Sequence, residues 1–298
     1  MPRVASNGIY IEYERTGPAD APPLLLIHGV GAQLVRWPQS LCDGLEAAGF
    51  QVIRFDNRDV GLSTHMDGTP VPDLAAALAA KQRGENPALP YNLSDMAADT
   101  AGLLDALGLT SAHVVGVSLG GMIAQVLAIE HAARVRSVAI VMSQSGSPEL
   151  PPSDPEALAV LATPAPDPRL DEQAYLRHSL ALNRTLGSPA YPADAAVLRE
   201  LARQSWRRSY DPAGAARQFV VGRCAPDRRD SLRTLEIPTL VIHGAADPLF
   251  PPAAGEDLAC CIPKAWLLAI QGMGHDLPDE LSDILVSAIG ANARRAVK

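Results

Sequence analysis

The chain is poor in aromatic and charged residues: Phe, Tyr and Trp make up 4% of its 298 residues, and Asp, Glu, Lys and Arg 19%. With 47% hydrophobic residues, that scarcity of charge excludes a self-repelling disordered polymer and implies a sizeable buried core. Long apolar runs are also missing, and none approaches the roughly 18 residues of a membrane-spanning helix. Basic clusters are few. The net charge is -8 and the only adjacent arginines are Arg207-Arg208, Arg228-Arg229 and Arg294-Arg295. Each is expected to be a solvated surface pair, so nucleic acid is disfavoured as a partner. The four cysteines, Cys42, Cys224, Cys260 and Cys261, show no C-x-x-C spacing, which points to reduced thiols and away from a disulfide framework or a metal site. The N-terminus lacks the apolar core of a signal peptide, and a cytoplasmic location is the resulting expectation. This length suits one large α/β domain with an insertion, or two domains.

Against that background one stretch stands out, His113-Val114-Val115-Gly116-Val117-Ser118-Leu119-Gly120-Gly121. Gly-x-Ser-x-Gly is a short pattern, expected about 0.1 times by chance in such a chain, so its context decides. Before it lies a short apolar run with the look of a buried strand. After it, Leu119, Met122, Ile123, Val126 and Leu127 follow helical spacing. Strand, glycine-flanked serine and helix together form a nucleophile elbow, where a serine hydroxyl stands on a tight turn above a sheet.

Other motifs follow the same logic. Leu24-Leu25-Leu26-Ile27 reads as a parallel strand buried on both faces, and it ends in His28-Gly29-Val30-Gly31. That position supplies one half of an oxyanion hole, with the backbone N–H of Val30 as one donor and that of Leu119 as the other. His28 is expected to hold the loop by hydrogen bonds. After the next strand comes Asp56-Asn57-Arg58, in which Asp56 and Arg58 are expected to pair with each other and fix the turn. A proline-rich segment over residues 65–92 with a short helix near Asp73 to Lys81 is expected to belong to a lid. Residues 144–230 hold many prolines and then helical patterns without a strand signal, as expected of a helical cap inserted between core segments 1–143 and 231–298. Beyond it, Asp247 follows a buried strand in His243-Gly244-Ala245-Ala246-Asp247-Pro248, and His275 follows the last strand between flexible glycines in Gly272-Met273-Gly274-His275.

The order Ser118, Asp247, His275 matches that of an α/β-hydrolase. A serine hydroxyl attacks well only when a base takes its proton, imidazole titrates near working pH, and a carboxylate orients the imidazole. On these motifs the chain resembles the α/β-hydrolase fold superfamily, in its serine hydrolase branch. Trp37-Pro38, the Asp56 loop and Ile262-Pro263 through Pro278 are similar to aclacinomycin methylesterase-like esterases. The resemblance implies an α/β fold, a mostly parallel twisted sheet flanked by helices, and a small-molecule ester as the partner. No cofactor or metal is expected. Trp37, Met273 and Leu277 are expected to line the acyl pocket.

Three functions stay open on residues alone. One is hydrolysis of a carboxylic ester, including a lactone or methyl ester, and another is a carbon-carbon bond hydrolase or cofactor-free perhydrolase with the same triad. The third is a binding module, disfavoured because no triad member is missing. Oligomeric state, monomer or homodimer, is left undetermined.

Overall fold

The computed structural model describes residues 2–296. Eight strands are spread along the chain: β1 (Arg3–Ser6), β2 (Ile9–Thr16), β3 (Pro23–Ile27), β4 (Gln51–Phe55), β5 (Ala112–Val117), β6 (Val135–Val141), β7 (Thr239–Gly244) and β8 (Trp266–Ile270). They form one sheet in the order β1-β2-β4-β3-β5-β6-β7-β8, antiparallel at β1 and β2 and parallel from β4 onward. The β1–β2 hairpin turns at Asn7-Gly8, both with positive φ (48° and 78°), the backbone that a tight two-residue hairpin demands.

Before the insertion come α1 (Gln39–Ala47), α2 (Leu74–Gln82), α3 (Leu93–Ala106) and α4 (Leu119–Glu130). Five helices then lie between β6 and β7 with no strand among them: α5 (Pro155–Ala162), α6 (Glu172–Leu186), α7 (Ala195–Arg208), α8 (Pro212–Cys224) and α9 (Arg229–Leu232). The chain ends through α10 (Pro252–Cys261) and α11 (Ser282–Arg294).

Successive strand residues point to opposite faces, and the core follows that rule. Leu25 and Ile27 join Ile53, Val114 and Ile140 in a cluster with α3, α4 and α10. Leu24 and Leu26 join Val52, Val115 and Ile242 in a second cluster with α1 and α11. Helices on both faces explain why these strands carry apolar residues pointing both ways. In the insertion, α5, α6, α7 and α8 each begin at an aspartate, Asp154, Asp171, Asp194 and Asp211, whose side chain accepts from the first turn. Such a cap contributes about 1 kcal/mol, which helps helices with little apolar surface to form. Among the described residues no helix is long and apolar enough to cross a membrane.

Candidate active site

Ser118 sits between the end of β5 and the start of α4 with φ 55° and ψ -118°, a backbone that residues bearing a Cβ rarely adopt. The neighbouring glycines make the turn possible. A Cβ on Gly116 would strike the carbonyl of Gly120, and one on Gly120 would strike that of Ile27. The turn is pinned by the Ser118 N–H, which donates to Val141 O at 2.9 Å, and by the Ser143 hydroxyl, which donates to Ser118 O at 2.8 Å. Strain in the turn thus holds the hydroxyl clear of the sheet.

His275 follows β8, and its Nε2 lies 3.0 Å from Ser118 Oγ. Its Nδ1 lies 2.7 Å from Asp247 Oδ2. The other oxygen of Asp247 accepts from the N–H groups of Leu249 (2.8 Å) and Phe250 (2.9 Å). Burial pushes the Asp247 carboxyl up, but His275 beside it and the Phe250 N–H outweigh that effect and hold it below the usual carboxylate range. Glu149, in the segment after β6, lies on Arg229 at 2.8 Å.

The His28 loop reaches Ser118 from β3. A Cβ on Gly29 would come within 3.1 Å of Ser118 Cβ, so the glycine is what allows this approach. Burial lowers the His28 pKa to about 3, assisted by the charge of Arg36. His28 is therefore a neutral structural group whose Nδ1 accepts from the Gly29 N–H at 2.8 Å. Gly31 N–H donates to Gln218 of α8 at 2.8 Å, and Asn57 holds the His28 carbonyl at 3.0 Å. The N–H groups of Val30 and Leu119 have no acceptor among the described residues, while both residues border the recess at Ser118.

Several expectations need correction. Asp56 and Arg58 do not pair with each other: Arg208 of α7 lies on Asp56 at 2.5 Å, and Arg58 grips Asp99 of α3 at 2.5 and 2.6 Å. Asp56 still organises the turn, since it accepts from the N–H groups of Leu34 and Leu62, both at 2.8 Å. Arg208 and Arg228 are thus not solvated surface residues; Arg228 is buried on Gln125 and the carbonyls of Gln144 and Pro226. Trp37 and Met273 do not line the cavity described below. They are 2% and 0% exposed and belong to the core on the α1 and α11 side of the sheet. Large apolar side chains gain most by full burial, and Trp37 serves as an edge-on support for the His28 ring at 4.9 Å. Leu277 does line the cavity.

Above Ser118 lies a cavity of about 830 Å³, walled by the strand-end loops and by α5, α6, α7 and α8. An adjoining recess of about 30 Å³ beside Ser118 is lined mainly by apolar groups that include Met122, Leu158 and Phe219, with Gln144 and Arg223 also at its wall. Three supports of the site lay outside any motif. Gln218 braces the His28 loop, Ser188 donates to Asp276 and accepts from Gly274 N–H at 2.8 Å, and Leu186 O accepts from His275 N–H at 2.6 Å. All three belong to the insertion, where no sequence signal marked them.

Known proteins are similar to this chain in sequence and in fold. Rhodomycin D methylesterase DnrP of Streptomyces peucetius is 31% identical over 94% of this chain and 93% of its own length. DauP of Streptomyces sp. strain C5, which bears the same enzyme name, is 32% identical over the same shares. Among solved structures, a thermophilic esterase from Thermogutta terrifontis superposes with a TM-score of 0.74 at 25% identity over 100% of both chains. A meta-cleavage product hydrolase from Pseudomonas fluorescens IP01 gives 0.76 at 20% identity, over 100% of this chain and 98% of its own. The family model described as alpha/beta hydrolase fold matches residues 22–280. Sheet order, the serine turn at the end of β5, and that match over most of the sequence lead to one assignment: the chain belongs to the α/β-hydrolase fold family.

Proposed function

We propose that the chain is a serine hydrolase that cleaves a carboxylic ester of a largely apolar small molecule through an acyl-enzyme. The observation that carries this reading is the 3.0 Å approach of His275 Nε2 to Ser118 Oγ, with Asp247 2.7 Å behind the ring. His275 takes the proton of Ser118 as the oxygen attacks the acyl carbon. The N–H groups of Val30 and Leu119, without an acceptor among the described residues, hold the developing oxyanion. His275 then passes the proton to the departing alcohol, and water repeats the sequence on the acyl-enzyme.

The insertion acts as a cap that selects the substrate. A cavity of about 830 Å³ lies within the range of small-molecule sites and suits a large acyl part. The apolar recess of about 30 Å³ suits a small alkoxy group, which together with the two methylesterase relatives favours a methyl ester. Ser118→Ala is expected to abolish turnover of 4-nitrophenyl butyrate and labelling by a fluorophosphonate, with an unchanged circular dichroism spectrum. Retained turnover refutes the assignment. A panel of methyl esters, lactones and vinylogous diketones separates ester from carbon-carbon hydrolysis, and turnover of the diketones alone would overturn the ester reading.

A further inference from the structure

Most arginines near the interface between core and insertion are fully engaged. Arg58 is held by Asp99, Arg208 by Asp56 and Arg217 by Asp59, the last at 2.8 and 2.9 Å. Arg228 is held by three acceptors at 2.7 to 3.0 Å. Arg36 differs. It closes the turn Leu34–Arg36 after the His28 loop, is half-buried, and contributes to the wall of the large cavity. Among the described residues no carboxylate and no carbonyl accepts from its guanidinium, and it lies over no aromatic face.

Arg36 is also the one arginine or lysine in that wall among the described residues. Burial lowers its pKa, and among the described residues the group that opposes this is the Tyr175 phenol of α6, itself pushed toward the neutral form by burial. A guanidinium partly withdrawn from water without a partner is at a disadvantage that a bound anion would relieve. The carboxylates of the wall do not relieve it. Asp59 is held by Arg217, Asp211 by His65 at 2.6 Å, and Asp276 by Ser188, while Asp194 caps α7. Asp279 accepts from Ser40 at 2.5 Å, and Glu280 is exposed. The cavity therefore presents one uncommitted cation among apolar residues, uncharged polar residues such as Gln33, Ser179 and Asn183, and carboxylates that are paired, capping or exposed.

We propose that Arg36 is a specificity-determining residue that binds a second, ionised carboxylate of the substrate, remote from the ester that Ser118 attacks. The planar guanidinium matches the two oxygens of a carboxylate in paired N–H···O bonds, and it stays charged where a buried lysine would lose its proton. The substrate class is thus the half-ester of a dicarboxylic acid, or a larger ester that carries a free acid group. This inference rests on the ester hydrolase proposed above, and the test separates the two.

Mono-4-nitrophenyl succinate, adipate and suberate are compared with 4-nitrophenyl esters of uncharged acids of equal length, in wild type, Arg36→Met and Arg36→Lys. At least one half-ester is expected to show a lower KM than its uncharged match. Arg36→Met is expected to raise that KM about ten- to hundredfold, the usual loss of a hydrogen-bonded charge, with kcat and the uncharged esters unchanged. Arg36→Lys is expected to fall between. If wild type shows no preference for any half-ester, or if Arg36→Met raises KM equally for both series, the proposal is overturned. Inhibition of wild type by adipate against hexanoate gives a second measurement without any variant: stronger inhibition by adipate supports the site and equal inhibition refutes it. Wild type that hydrolyses no ester at all refutes the hydrolase, whereas wild type that hydrolyses only uncharged esters refutes the Arg36 site alone.

Discussion

Asp247 is 4% exposed and yet held in its charged form, which is tolerable only because His275 and two N–H groups meet its oxygens. The sign follows from the lowered pKa. Its ionised form adds stability above the ordinary carboxylate value of 3.8, and that contribution is lost as pH falls through the lower folded value. Asp247→Asn keeps the shape but offers an N–H to Nδ1 and so favours the wrong imidazole tautomer. Turnover of 4-nitrophenyl butyrate is expected to drop about 1,000- to 10,000-fold. A loss below tenfold contradicts the role proposed for Asp247. At this scale the glycine and proline signatures around Ser118, His275 and Asp247 made these residues legible, since tight turns restrict which residues fit. Trp37 and Met273 were not legible, because a large apolar side chain looks the same in a core as in a cavity wall. Arg36 had no local pattern to mark it.

β5 carries a histidine in the middle of a buried strand, and its chemistry bears on stability more than on the reaction. His113 lies 2.8 Å from Ser137 Oγ and edge-on to Phe50. Burial, with the nearby charge of Arg136, lowers its pKa from 6.5 to about 4. The unfolded chain therefore binds the proton first, and stability falls as pH drops below 6.5 toward 4. From pH 7 to pH 5 this one group is expected to remove about 2 kcal/mol. Urea unfolding of His113→Gln at the two pH values is expected to show that much less pH dependence than wild type; identical slopes contradict it. The elements themselves were largely readable. Buried strands are short apolar runs, α3 begins at Asn92, a residue type that caps helices, and the short helix near residues 73–81 is α2. Apolar spacing alone does not separate α11 from the short turn of residues 279–281 that precedes it just after Pro278.

The insertion is fastened to the core by charges whose partners lie far apart in sequence, and no local pattern could pair them. Arg208 meets Asp56, Arg217 meets Asp59, and Gln218 ties Gly31 N–H to the Arg58 carbonyl. On the far side, the α6–α7 loop is bonded to the His275 turn through Leu186 and Ser188. The same helices that wall the cavity thus brace both loops that meet at Ser118, so a change in the insertion is transmitted to the reacting groups. Asp59 tests this coupling. Its carboxylate is fully buried on Arg217, itself only 4% exposed, and its backbone has φ 67°. Arg217→Met leaves that carboxylate without its cation and is expected to cost about 3–5 kcal/mol. Asp59→Asn on top of it removes the stranded charge while keeping a residue that accepts positive φ, and is expected to recover part of the loss. Urea midpoints of the wild type, both single variants and the double variant measure the coupling. Simple additivity in that cycle would mean that the pair does not fasten the insertion. If the pair does fasten it, Arg217→Met also lowers ester turnover before it unfolds the chain, because α8 then releases Gln218 from the Gly31 loop.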